Sequence, residues 1–146
     1  MIGLLQRVSR ADVVVDGETI GEIGRGLMVL VAVHRDDTEK DVARLAERLL
    51  GYRVFPDEEG RMNRSLRDID GGILLVPQFT LTADTKKGTR ASFTKGAPPD
   101  KASEYFDRLV QLCREGLTKV ETGRFGADMK VSLTNDGPVT FWLETQ

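Results

Sequence analysis

The chain is short of the residues that build the commonest reactive centres. Among its 146 residues there is one cysteine, Cys113, and one histidine, His34. A single thiol excludes an internal disulfide and fits a reducing compartment. One imidazole rules out a multi-histidine metal site, and Cys113 alone cannot form a thiolate cage. A Ser-His-Asp triad would have to use His34, which stands just before Asp36-Asp37 at the end of a strand-like run and reads as an exposed loop residue. No apolar run approaches the ~20 residues of a membrane helix. The opening Met-Ile-Gly-Leu-Leu-Gln-Arg, with Arg7 and Arg10 after its apolar residues, does not have the order of a signal peptide. The expectation is a cytoplasmic protein with no metal and no cofactor. A large positive charge is also missing. The net charge of −2 argues against a protein that coats nucleic acid without specificity.

What is present is ordinary for a soluble globular domain: 40% hydrophobic and 30% charged residues in one unit spanning 1–146, enough to form a core without staples. The charge is unevenly placed. Lys86, Lys87, Arg90 and Lys95 lie between Asp84 and Asp100 with no acid among them, while acids gather at Asp36-Asp37, Glu39, Asp41 and Asp57-Glu58-Glu59. The basic stretch reads either as a solvated loop or as a phosphate-steering rim beside a pocket.

Strand-like runs open the chain, at Ile2 to Val8 and Asp12 to Val15, and Asp16-Gly17 signals a hairpin into Thr19 to Ile23. Gly24-Arg25-Gly26 precedes a strand and lacks a third glycine, so it is a turn and not a nucleotide loop. Leu27 to Val33 is apolar enough for a central strand. A helix capped by Asp37 or Thr38 places Val42, Leu45, Leu49 and Leu50 on one face and ends near Gly51. A short strand, Tyr52 to Phe55, and a polar loop from Pro56 to about Arg64 follow. Gly71 to Thr82 is another strand-like run. After Pro98-Pro99 a second helix brings Ala102, Tyr105, Phe106, Leu109, Val110 and Cys113 to one side and ends at Gly116. Cys113 on that face reads as packing. Lys119 to Glu121, Met129 to Thr134 and Val139 to Leu143 complete the strands. Seven or eight strands with two helices predict an α+β fold: curved, mostly antiparallel, barrel-like sheets with both helices packed on one side.

Two segments carry the chemistry. In Pro77-Gln78-Phe79-Thr80-Leu81, an extended backbone puts Gln78 and Thr80 on one face and Phe79 on the other. A strand end with free N–H groups and polar side chains can cradle a developing oxyanion, and equally Thr80 can serve only to bond a neighbour. In Asn135-Asp136-Gly137-Pro138-Val139-Thr140, a Gly-Pro bond sits in a turn between strands. Most X-Pro bonds are trans, so residues alone favour a plain trans turn.

Read together with Gln6-Arg7-Val8, Leu50-Gly51-Tyr52-Arg53-Val54-Phe55, Arg61-Met62-Asn63, Arg90-Ala91-Ser92-Phe93-Thr94-Lys95-Gly96-Ala97 and Thr122-Gly123-Arg124-Phe125-Gly126-Ala127-Asp128-Met129, these segments resemble the D-aminoacyl-tRNA deacylases in order and spacing. The resemblance implies a homodimeric esterase that removes D-amino acids, and glycine mischarged on other tRNAs, from the 3′ end of tRNA. Neither a membrane nor DNA is an implied partner. It implies catalysis around Gln78, Phe79 and Thr80, aided by the tRNA 2′-hydroxyl, and a cis Gly137-Pro138 pair that enters the partner's active site and excludes L-amino acids. Arg7 would support that pair, Phe125 and Met129 would help form the terminal-adenosine pocket, and Lys86, Lys87, Arg90 and Lys95 would meet phosphate. One position departs from the family pattern. Pro77 stands where the family usually has serine, so a contact through that hydroxyl or its N–H is absent and altered rate or substrate preference is expected. Two rivals stay open: an idle relative that only binds aminoacyl-tRNA or a D-amino acid, and a small-molecule esterase using Thr80 or His34.

Overall fold

The computed structural model describes residues 1–145. Its first strand, β1, runs unbroken over Ile2–Val15, where the sequence suggested two runs. Arg10 stays paired, with Thr134, and carries the strand past Ser9, while each half of β1 has its own further neighbour. Residues 11–15 pair with β2 (Glu18–Ile23) and residues 2–8 with β3 (Gly26–Ala32). Asp16 and Gly17 both take positive φ, 49° and 80°, the geometry that a two-residue hairpin needs to match strand twist.

The expected polar loop from Pro56 to Arg64 instead contributes to a small hairpin of β4 (Phe55–Pro56) and β5 (Met62–Arg64). Its turn is gathered by Asp57, whose carboxylate accepts from the amides of Glu59 and Arg61 and from the Asn63 side chain. β3 pairs in parallel with β6 (Gly72–Pro77), and β6 in parallel with β7 (Val120–Thr122). The order is β2-β1-β3-β6-β7, with β8 (Lys130–Glu144) antiparallel along the length of β1. The sheet curls until its ends meet: the Glu22 amide donates to Glu121 Oε1 at 3.4 Å, and a Cβ on Gly21 would lie 2.9 Å from the Thr122 carbonyl oxygen. The barrel-like α+β expectation holds, with the β3-β6-β7 run as its parallel part.

Both faces of the central strands are covered, which is why they read as unbroken apolar runs. Leu27, Val29, Val31, Ile73 and Leu75 face the helices, while Met28, Leu74 and Val76 point into the barrel with Val13, Val15 and Ile23. Three α-helices are present among the described residues, one more than the sequence suggested. α1 (Glu39–Gly51) has Thr38 as its N-cap, with the Thr38 amide donating to Asp41 Oδ2 at 2.8 Å. Gly51 is its last helical residue, and the cap is Tyr52 in extended conformation, so no left-handed glycine ends this helix. α2 (Leu66–Ile69) is a single turn, too short to show a period, held by reciprocal Ser65–Asp68 bonds of 3.1 and 2.9 Å. Backbone and side-chain bonds from Ser65 hold the Asp68 carboxyl below its ordinary value. The cap therefore persists at neutral pH and is lost only as pH falls through that lowered value.

α3 (Pro99–Gly116) starts on Pro99, where the absent N–H costs nothing, and packs on α1. Cys113 is fully buried in that core, and burial pushes its thiol pKa up to about 12. No thiolate forms near neutral pH, so it is packing. No helix among the described residues is long and apolar enough to cross a membrane.

Candidate active site

β6 stops at Pro77 because proline brings no N–H to extend the ladder. One further bond, from the Gln78 amide to the Val31 carbonyl at 2.7 Å, anchors the exit. The chain then winds into a 3₁₀ turn over Phe79–Thr82, not the continued strand that the sequence suggested. Leu81 N donates to Gln78 O, Ala83 N to Thr80 O, and the buried Thr82 hydroxyl closes the turn on Phe79 O at 2.8 Å. Gln78 and Thr80 therefore meet across the turn, the Gln78 amide donating to Thr80 Oγ1, instead of sharing a sheet face. The N–H groups that open the turn, Phe79 and Thr80, have no acceptor among the described residues, as the first amides of any helical turn lack internal partners.

This turn forms one wall of a cleft of about 460 Å³ whose apolar lining includes Pro77, Phe79, Phe93, Pro99, Ala102 and Phe125. Phe79 is 61% exposed, with its ring 5.3 Å from that of Phe93. Such exposed aromatic edges around a concavity suit a planar or apolar ligand group. Met129 does not line the cleft. It packs beneath, its sulfur accepting from the Arg124 amide at 3.4 Å and sitting 2.7 Å from where a Gly123 Cβ would be. Gly123 in turn adjoins Pro77.

The basic residues lie on and beside the loop that carries Phe93. Asp84 and Ser92 exchange backbone bonds of 2.8 and 3.0 Å, the Arg35 amide holds Lys95 O, and Ala97 N holds Val33 O. The loop so pinned presents Phe93 to the cleft and Lys86, Lys87 and Arg90 to solvent. Those three make no ion pair among the described residues, whereas Lys95 lies 3.9 Å from Asp84.

The Gly-Pro segment is elsewhere. β8 is one strand, not two runs with a turn between, but its pairing with β1 slips twice near Val8, leaving residues 136–139 bulged opposite Arg7. The Gly137–Pro138 bond is cis. Arg7, 14% exposed, donates from Nε to Asp136 O at 2.9 Å and from Nη1 to Val54 O at 2.7 Å. Register shows how far this lies from the cleft. The bulge faces Arg7, which is level with Leu27 and so with Ile73 near the start of β6, while Pro77 at its end is level with Val31 and Gly3. At ~3.3 Å per residue the two are about 13 Å apart along the strands, before three strand spacings are added across the sheet. The structure thus brings Pro77, Gln78, Phe79 and Phe125 together and leaves Arg7, Gly137 and Pro138 at the other end.

No nucleophile–base couple is hydrogen-bonded here. Thr80 Oγ1 is bonded to an amide, and His34 is engaged on Glu144, Nε2 to Oε2 at 3.0 Å, at the end of β8.

The sequence model of the family described as D-Tyr-tRNA(Tyr) deacylase matches residues 4–144. The chain belongs to that family. A protein named D-aminoacyl-tRNA deacylase from Alkalilimnicola ehrlichii is 63% identical over 146 residues, covering 100% of this chain and 97% of the relative. One of the same name from Escherichia coli is 56% identical over 144 residues, covering 99% of each. Among solved structures, the c-Myc DNA Unwinding Element Binding Protein superposes with a TM-score of 0.95 at 38% identity, covering 100% of this chain and 99% of its own. A probable eukaryotic D-amino acid tRNA deacylase shares the fold, with a TM-score of 0.82 at 22% identity, covering 99% and 98%. For a deacylase-family chain, sequence reasoning missed Pro99, Ala102 and the Phe93 ring as cleft walls. All three come from segments far from Gln78 in sequence, and no local pattern announces such convergence.

Proposed function

We propose that this chain hydrolyses the ester of D-aminoacyl-tRNA, releasing a free D-amino acid and tRNA, as a homodimer in which Gly137–Pro138 of each protomer closes the cleft of its partner. The observation that carries the reading is the pair of unengaged N–H groups, Phe79 and Thr80, at the lip of an aromatic cleft that holds no hydrogen-bonded nucleophile–base couple. Such a site suits a substrate that is already reactive. The ester carbonyl oxygen rests on those two amides, which stabilise the charge developing as water adds to the carbonyl carbon. The bond to the ribose oxygen breaks and that oxygen takes the proton, the neighbouring 2′-hydroxyl aiding the transfer. Phe125 receives the terminal adenine, with Met129 supporting from below. Gln78 and Thr80 hold the turn in place.

Distance supports the partner as the source of the Gly-Pro segment, since a protomer cannot fold its own 136–139 bulge into its own cleft without dismantling the β1–β8 ladder. β8 also exposes Trp142 and, among the described residues, pairs only with β1, leaving an edge for a second copy. The reading places the enzyme in the cytoplasm with the charged tRNA pool. Its test is deacylation of D- and L-tyrosyl-tRNA with chelator present. Turnover of the D ester alone supports it. Binding without turnover would instead favour the idle relative, and loss of activity in His34→Ala the side-chain esterase.

The rim makes its own prediction. Replacing Lys86, Lys87 and Arg90 together with glutamine will weaken tRNA binding and lower the slope of log affinity against log salt by up to ~2–3, one contact being worth about 0.7–0.9. Hydrolysis of a minimal aminoacyl-adenosine will be spared. Equal loss on both substrates would assign the loop to the cleft's shape.

A further inference from the structure

We propose that Asn135 is the positioning residue of the Gly137–Pro138 turn and so a determinant of which amino acids the enzyme rejects. The inference rests on the reading that this turn acts as the filter. Its basis is one side chain with two uses. Between Gln6↔Thr140 and Val8↔Asn135, a single residue of β1, Arg7, faces four of β8, so residue-by-residue pairing stops where the turn bulges out. At that break the Asn135 amide nitrogen donates to Arg7 O at 2.9 Å and to Val139 O at 3.1 Å. A primary amide carries two N–H groups, and both are spent.

Residue 135 thereby ties the chain that enters the turn to the chain that leaves it at Val139, and ties both to β1. Arg7 completes the frame from the other side, through Asp136 O and Val54 O. Gly137 lies inside this frame with no space for a side chain, because a Cβ there would overlap the backbone nitrogen of Val139. A stop whose position decides between D and L substrates must be held to a fraction of an ångström, and the Asn135 clamp is what sets the width of its base. Aspartate has the same shape but offers only acceptors, so it would face two carbonyl oxygens without a proton between them.

The experiment compares Asn135→Asp and Asn135→Ala with the wild-type enzyme, using D- and L-tyrosyl-tRNA as separate substrates, with dimer state and melting temperature recorded. The expected result is that cleavage of the L ester rises until the D-over-L ratio of kcat/KM falls by about tenfold or more, while the D rate changes by less than about threefold. If both rates fall in parallel, or neither moves, in a folded dimer, Asn135 is scaffold only and the proposal is overturned. Should both variants fail to fold, Asn135→Ser keeps one donor and is expected to lose part of the ratio. An unchanged ratio there also overturns the assignment. The wild-type arm separates the two claims. Absence of D-over-L preference in the wild type sinks the filter reading itself, whereas a wild type that discriminates beside variants that discriminate equally sinks only the role of Asn135.

Discussion

Alanine in place of Gly26 will severely destabilise this sheet. Gly26 and Gly72 face each other in the parallel β3–β6 ladder, and a Cβ on Gly26 would overlap the Gly72 carbonyl, with the Gly72 carbonyl carbon and nitrogen 2.7 and 2.8 Å away. Those are backbone atoms, so no rotamer change relieves the overlap. The two central strands would have to part where both are buried and where the Gly72 amide bonds to Arg25 O at 3.0 Å. A loss of more than about 3 kcal/mol is expected against a total stability of roughly 5–15 kcal/mol. Gly24 is the control, since a Cβ there meets nothing within 4 Å. Gly24→Ala will stay within about 0.5 kcal/mol of the parent in urea unfolding, and Gly26→Ala will be largely insoluble or will unfold at much lower urea. Equal midpoints would mean the strands have more slack than their register shows.

The second large effect concerns substrates. If selection at the Gly137–Pro138 turn works by collision, it needs a side chain to collide with. Glycine has none. Glycyl-tRNA will therefore be cleaved appreciably while L-alanyl-tRNA is spared, by roughly a hundredfold, equivalent to ~2.7 kcal/mol for one misplaced methyl. Pro77 sits on the strand side of the cleft and offers neither hydroxyl nor N–H, so its effect will fall on rates common to all substrates and leave the glycine-to-L-alanine ratio alone. Parallel time courses for the two esters at equal enzyme concentration decide the matter. Glycyl-tRNA as resistant as L-alanyl-tRNA would move recognition onto attractive contacts with the D side chain, and the steric account would fail.

Much of this was legible in the chain because the physics is local. Asp16-Gly17 names its turn, Asp37-Thr38 marks a helix start, and the spacing of Ala102, Phe106, Leu109 and Cys113 names a buried helix face. The Gln78 and Gly137 segments stood out as polar or kinked interruptions of apolar runs. What escaped was set by distant partners. β1 and β8 continue through residues that look like breaks because Asn135 and Arg7 satisfy the bulge from the side. The turn at Phe79–Thr82 looked extended, since nothing before Pro77 says that the ladder stops there. The joining of Phe93, Phe125 and Pro99 around one cleft belongs to topology. So does the gap between that cleft and the Gly-Pro turn, which only strand register reveals.

The pairing of β1 with β8 also constrains when the protein comes into being. Ile2 is matched to Glu144 and Val14 to Lys130, so β1 keeps an unmet edge until residues 130–144 have been made. The segment that meets it leaves the ribosome long after β1, and it carries the Gly-Pro turn. Pairings this remote in sequence are slow to find, and an open strand edge in the interval is exposed to other chains. The sheet thus closes only after the strand bearing residue 144 has emerged, and a nascent chain that stops short of it carries β1 with one edge open.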